Sequence, residues 1–253
     1  MVKGAEMIKG LRTAEKAMNI QLNRTNVLAN NLANANSVGF KQLLMNVSEE
    51  KQDNQNVNTP ERMDSARDMV LNVQSPLDMR QGALRETGNV TDVAIRGEGF
   101  FKVSRDGSEF YTRNGSFTIN SQRQLITMNG DTVQGTSGPL TVPDGVLVIS
   151  ENGTLTVGEQ SVGKLELYAF ENTADLELVG ESRYKVAEEV EARKLKAAEV
   201  DIAQGMLEQS NVNTIDTMVA MIAAQRAFEL ESKVLESADR TLDKAVNELA
   251  RKA

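Results

Sequence analysis

From Ala5 to about Asn36 the chain holds no proline, and its single glycine there, Gly10, stands near the start. Apolar residues recur at Leu11, Ala14, Met18, Leu22, Leu28 and Leu32. That three-and-four spacing is one face of a helix, so one long helix is expected, with Asn36, Ser37 and Gly39 as its stop. At ~1.5 Å per residue it reaches roughly 45–50 Å, more than a compact domain needs at its terminus. The C-terminus mirrors it. Asn213 or Thr214 can cap a helix, and Asp216 lies in a first turn, where the helix dipole favours an anion. Neither Pro nor Gly follows Gly205, and Met221, Phe228, Leu235, Leu242 and Leu249 recur at heptad spacing. Strict heptads predict a helix that supercoils against a partner; an amphipathic helix lying on its own core is the alternative.

Between the helices the texture changes. Residues 46–91 are polar and irregular, with Pro60 and Pro76, and read as an extended connecting arm. From Asp92 to Val186, short alternating runs carry Val93, Ile95, Phe101, Val103, Phe117, Ile119, Leu165 and Leu167. Asp106-Gly107, Asn114-Gly115, Asn129-Gly130, Asp144-Gly145 and Asn152-Gly153 punctuate them as turns. An all-β domain over 92–204 follows, with residues 187–203 left unassigned between helix and loop. Each terminal helix needs a partner for its apolar stripe. The expected fold class is therefore α+β: long N- and C-terminal helices, residues 1–45 and 205–253, pairing as a coiled coil, with an inserted all-β domain.

Composition narrows the chemistry. The 253 residues contain no His and no Cys, which excludes Ser-His-Asp and Cys-His catalysis, His/Cys zinc sites, iron–sulfur clusters and disulfides. There is no Trp, with three Tyr and seven Phe, so anchors for stacking sugars or bases are few. A net charge of −8 argues against nucleic acid as a partner. The opening MVKGAEMIKG lacks the apolar core of a cleaved signal peptide, and no run of about 18 apolar residues predicts membrane insertion. Gly97-Glu98-Gly99 imitates a dinucleotide loop, but Lys102 stands where the third glycine belongs, so a tight strand start is the better reading. The pairs Glu49-Glu50 and Glu188-Glu189 lie in polar stretches where nothing raises a pKa for acid catalysis. Neither an enzyme nor a cofactor is expected.

The unusual residues are amides. Between Ala17 and Asn36 the single charged residue is Arg24, while Asn19, Asn23, Asn26, Asn30 and Asn34 form a ladder at three-and-four spacing. A solvated helix face normally carries Lys and Glu, the better helix formers. Between Ser210 and Ala227 the charged residues are Asp216 and Arg226 alone. Two charge-poor helices suit burial among other helices. The expected assembly interface is Leu22, Asn23, Asn26, Leu28, Asn30, Leu32 and Asn34 on the first helix, with Met218, Met221, Ile222, Phe228, Leu235, Leu242 and Leu249 on the second.

Four motifs then point to a family. Asn30-Asn31-Leu32-Ala33-Asn34-Ala35-Asn36-Ser37-Val38-Gly39-Phe40-Lys41 resembles the N-terminal signature of the bacterial flagellar rod and hook proteins. Asp92-Val93-Ala94-Ile95-Arg96-Gly97-Glu98-Gly99-Phe100-Phe101 and Tyr111-Thr112-Arg113-Asn114-Gly115-Ser116-Phe117 resemble the start of that family's β-domain. Gln204-Gly205-Met206-Leu207-Glu208-Gln209-Ser210-Asn211-Val212-Asn213 and Ala224-Gln225-Arg226-Ala227-Phe228-Glu229 are similar to its C-terminal signature. Phe228 stands where the family often has Tyr. The resemblance implies a structural subunit of the basal-body rod, surrounded by copies of itself and neighbouring rod proteins. It also implies delivery by the flagellar type III export apparatus to the periplasmic rod, without a cleaved signal. Lys244-Ala245-Val246-Asn247-Glu248-Leu249 and Gly138-Pro139-Leu140-Thr141-Val142-Pro143 resemble the proximal member more than the distal one. A β-domain adhesin on a helical stalk is the reading outside this family.

Overall fold

The computed structural model describes residues 2–50, 70–186, 190, 192–196 and 198–252. They divide into two compact units, one within 1–30, 45–75 and 214–253, the other within 31–44 and 76–213. In the first unit lie α1 (Val2–Ala33, whose last turn belongs to the second unit), α2 (Thr214–Lys252) and an antiparallel hairpin of Asn46–Glu50 with Val70–Gln74. The hairpin corrects the expectation of an irregular arm. Its strands are separated by about twenty residues, so no adjacent turn dipeptide announces the pairing. α1 stops three residues before Asn36, where Ser37 N–H donates to the Asn34 carbonyl at 3.0 Å and Gly39 takes φ +65°.

Each helix carries one covered stripe. On α2 the covered positions include Thr217, Met221, Ala224, Phe228, Glu231, Leu235 and Ala238, a four-three alternation. On α1 they include Ala14, Met18, Gln21, Thr25, Leu28 and Leu32, with the same alternation. The α1 stripe corrects the sequence reading at its centre. Leu22 is 44% exposed, because it sits one residue, about 100° of rotation, past the covered position that Gln21 holds. Thr25 there turns its hydroxyl back onto the Gln21 carbonyl at 2.8 Å. Gln21 Oε1 and Glu231 Oε2 are buried oxygens without a hydrogen-bond partner among the described residues.

The second unit is built on antiparallel strands. Its largest sheet runs Leu176–Gly180, Arg183–Val186, Ser108–Thr112, Phe100–Arg105, Thr132–Gly135, Leu125–Thr127, Phe117–Ile119, with further short strands off that path. A three-stranded sheet of Leu147–Ile149, Thr154–Val157 and Gln160–Lys164 accompanies it. Val93, Ile95, Phe101, Val103, Phe117, Leu165 and Leu167 are all buried in one core, with Ile119 packed against it. A smaller cluster gathers Phe100, Tyr111 and Tyr184 with Tyr168 and Phe170 in edge-to-face contacts of 4.9–5.7 Å. The stretch 187–203, unassigned from sequence, includes strand Arg193–Lys194 and the start of Ile202–Gln204, which pairs with Val93–Ile95. Met206–Glu208 then pairs with Leu84–Glu86, inside the region expected to be an arm.

The turn dipeptides separate by mechanism. Asp106 and Gly107 take φ 51° and 80° between Phe100–Arg105 and Ser108–Thr112, the positive pair of a type I′ hairpin. Asn114-Gly115 is a different device. Gly115 has ordinary φ and lies flush against the Val93 backbone, donating no room for a side chain: a Cβ would overlap the Val93 carbonyl oxygen. Val93 N–H donates to the Gly115 carbonyl at 3.0 Å, so the approach is a backbone pairing. Gly115→Ala should therefore destabilise the β-domain by more than ~2 kcal/mol, read as a shift of the urea midpoint; an unchanged midpoint would show that the backbone yields freely.

Candidate functional site

Just beyond α1, Gly39 and Phe40 deliver Lys41 into the interior of the β-domain unit. Lys41, Arg113 and Glu208 are all at most 2% exposed. Lys41 Nζ reaches Glu208 Oε1 at 2.7 Å and donates to the Arg80 carbonyl at 2.8 Å. Glu208 Oε1 also accepts Gly82 N–H at 2.9 Å. Arg113 brings Nε to 3.1 Å from Glu208 Oε2, a charge contact whose alignment is not that of a hydrogen bond. Its two terminal nitrogens donate to the Gly99 and Gly97 carbonyls, both at 2.7 Å. These glycines take φ 120° and 93°. The Gly97-Glu98-Gly99 segment is thus the tight strand start that its sequence implied, and its carbonyls cradle a guanidinium.

Two cations share one carboxylate here. Burial, and next the Arg113 charge, push the Lys41 ammonium below its ordinary pKa, while Glu208 pulls the other way. Burial likewise lowers Arg113. The Tyr184 hydroxyl, 3.4 Å from the Lys41 amide that donates to it, is pushed up to about 12 by burial. Side-chain amides complete the fastening of residues 39–44. Asn31 Nδ2 donates to the Leu43 carbonyl and Asn31 Oδ1 accepts Leu43 N–H, both at 2.8 Å, as a neighbouring strand would. Asn211 Oδ1 accepts Gln42 N–H at 2.8 Å, and its Nδ2 donates to the Asp78 and Arg80 carbonyls. Gly39 N–H donates to the Glu208 carbonyl at 2.7 Å, with so close an approach that a Cβ at Gly39 would overlap the Arg113 backbone.

The expected interface residues fall into groups. Asn23 and Asn26 are exposed on α1, as is Leu22; Leu28, Asn30, Leu32 and Asn34 are half-buried. Met221, Phe228 and Leu235 lie in the covered stripe of α2, whereas Met218 and Ile222 are exposed at 46% and 52%. The side chains of Leu242 and Leu249, and of Glu49 and Glu50, lie outside the described part, as do Glu188 and Glu189 themselves. Sequence reasoning missed Ile215, Val219, Leu230 and Val234, each exposed by more than 60%. At about 100° per residue, Ile215, Val219, Ile222 and Leu230 fall opposite Thr217, Ala224, Phe228 and Leu235. Over Ile215, Val219 and Ile222 α2 is apolar opposite its covered stripe, and Arg226 then separates these residues from Leu230 on the same side. The heptad series masked the second stripe, though its own three-and-four spacing was present. Lys41, Asn31, Arg113 and Glu208 were also missed as a site, since nothing near Glu208 in sequence points to residues 41 or 113.

Among the described residues no helix is long and apolar enough to cross a membrane, and no group of acidic side chains is placed to hold a metal ion. Comparison with known proteins assigns the class. The Flagella basal body rod protein family model matches residues 11–41. The Flagellar hook protein FlgE/F/G D1 domain matches 94–157, and the Flagellar basal body rod FlgEFG protein C-terminal matches 203–248. Flagellar basal-body rod protein FlgG of Borreliella burgdorferi is 32% identical over 95% of this chain and 98% of its own length. FlgG of Buchnera aphidicola subsp. Baizongia pistaciae is 34% identical over 94% and 98%. Flagellar basal-body rod protein FlgF of Salmonella typhimurium is 32% identical over 94% and 97%. The class is a structural component of the flagellar basal body. The chain belongs to the flagellar basal-body rod protein family and is a structural subunit of the rod, assembling with other rod proteins.

Removing the shared anion should cost more than removing either cation. Glu208→Gln leaves Lys41 and Arg113 buried together, at a cost of about 3–5 kcal/mol. Lys41→Met keeps the Arg113–Glu208 pair and should cost less, although two carbonyls lose their donor. Urea unfolding of both variants tests the ranking, and equal losses would show that hydrogen-bond count rather than charge balance governs the cluster.

Proposed function

We propose that α1 and α2 pair as a coiled coil within one subunit through their four-three stripes, and that their outer faces meet the helices of neighbouring subunits in the rod. The observation that carries this reading is the second apolar stripe of α2. An exposed apolar patch such as Ile215, Val219 and Ile222, opposite a covered stripe, marks a protein interface and needs cover of its own. The charge-poor, amide-rich face of α1 supports the same reading, because an amide both donates and accepts between packed helices. Gln21 and Glu231, polar residues on the stripes, fit a role in fixing register. In this reading residues 1–45 with 205–253 are the helical part, 46–91 connect, and 92–204 form the β-domain. The subunit belongs to the periplasmic rod and reaches it unfolded through the flagellar type III export apparatus.

Within the rod we favour the proximal, FlgF-like position, on the strength of the segments at 138–143 and 244–249. The relatives named FlgG, at 32% and 34% identity, favour the distal position instead. Expression in strains lacking either protein decides: restored swimming of the FlgF-deficient strain alone supports the proximal reading, and rescue of the FlgG-deficient strain alone overturns it.

Pairing is tested by cysteines placed at Leu28 and Phe228 and at positions one turn away on each helix. Intramolecular disulfides should form for at least one pair; crosslinks between chains only would refute pairing within a subunit. Neighbour contact is tested by charge. Asn26→Lys would place an unpaired ammonium in a helix-packed wall, at several kcal/mol per copy. It should abolish motility while secretion persists. Normal swimming by Asn23→Lys, Asn26→Lys and Asn30→Lys alike would show that this face remains wet in the rod.

A further inference from the structure

On the β-domain, a cleft of about 440 Å³ opens between Thr136, strand end Lys164, Lys194–Lys196 and Val200. Its floor is apolar, with Leu165, Leu167, Leu195 and Val200 each at most 8% exposed. Its walls are basic: Lys164, Lys194 and Lys196 all line it, in a chain whose net charge is −8. The acids nearby are already engaged. Glu166 is bound by the Lys194 ammonium through one oxygen and by the Tyr168 hydroxyl at 2.8 Å through the other. Glu199 accepts Lys196 N–H at 2.8 Å and meets Arg193 at 3.3 Å. Lys164 and Lys196 therefore bring two charges to the cleft that no carboxylate among the described residues answers with an ion pair.

An apolar floor beneath three lysines and one carboxylate, Glu166, selects a ligand that carries a carboxylate beside an apolar group. A volume of this size takes one or two side chains. We propose that the cleft receives an acidic side chain with its apolar neighbour from a second copy of this chain. The commitment to a second copy rests on charge complementarity, since the chain carries 36 acidic against 28 basic residues, and on the rod-subunit assembly described above. Head-to-tail contacts of this kind propagate rather than close, which suits a helical array.

Carbodiimide joins carboxylates to amines in direct contact, so the test mixes ¹⁴N- and ¹⁵N-labelled full-length chain at high concentration and identifies the linked peptides. Peptides of mixed isotope that join Lys164 or Lys196 to an Asp or Glu are expected, falling at least ten-fold in about 0.5 M salt. Their absence, or links from these lysines within one chain only, overturns the proposal. Lys164→Glu combined with Lys196→Glu should keep the melting temperature of the wild type and reduce swimming rescue at least ten-fold. Equal rescue by variant and wild type overturns the cleft contact and leaves the rod reading standing, whereas failure of the wild type itself to rescue refutes the rod reading. Crosslinking of these lysines to another rod protein, with none between copies, overturns the choice of partner.

Discussion

Glu208, near the end of the chain's path through the β-domain unit, faces two buried cations from earlier in that path. Lys41 comes from the segment that leaves α1, and Arg113 from the end of a sheet strand. A buried ion pair gains little over an apolar replacement, but a buried ion without its partner is costly. The cluster therefore constrains where the chain enters and where it leaves. Backbone groups complete it, with carbonyls at Arg80, Gly97 and Gly99 taking donors from the cations and Gly82 N–H supplying one to the anion. Because Glu208 also holds Gly39 through its own carbonyl, the start and the return of the domain are fixed at one place.

The same arrangement recurs in mirror form at the other charge cluster of the sheet. Asp131, fully buried, lies 2.7 Å from Arg105 Nε and 2.9 Å from Arg183 NH1, and Arg183 also packs over the Phe110 ring. Arginine suits both places, since its planar fork spreads charge over several acceptors. Ten aromatic residues serve a chain of 253. Five of them concentrate in the cluster around Phe100 and Tyr184, directly beside the Lys41 amide. A small aromatic content is adequate when it is spent at the point where segments distant in sequence converge.

The helices follow a different logic. A single amphipathic helix on its own core presents polar residues outward, whereas α2 exposes Ile215, Val219, Ile222 and Leu230. Charge is withheld from the same half of the helix and from the second half of α1. In the proposed assembly, stability of the isolated subunit and fit to its neighbours are separate demands on the sequence, placed on opposite faces of one helix.

Periodicity by itself determined both helices, because 3.6-residue repetition over more than thirty positions has few other interpretations. It also indicated strands whose apolar residues alternate between turn dipeptides, among them Val93, Ile95, Phe101, Val103, Phe117, Leu165 and Leu167 of the first core, but not Leu195, Val200 and Ile202, which join that core from the unassigned stretch. What it left to tertiary structure was pairing across long gaps. The hairpin of Asn46–Glu50 with Val70–Gln74 and the strands Leu84–Glu86 and Met206–Glu208 have ordinary local composition and acquire their conformation from partners remote in sequence. Gly115 looked like a turn residue and proved to be a point of backbone contact. The choice between Leu22 and Gln21 on the covered stripe of α1 was set by rotation of the helix about its axis, which hydrophobicity alone does not fix. The charge cluster lay furthest from view: Lys41, Arg113 and Glu208 stand in three separate motifs, and only burial in common, through segments more than seventy residues apart, makes each one necessary to the others.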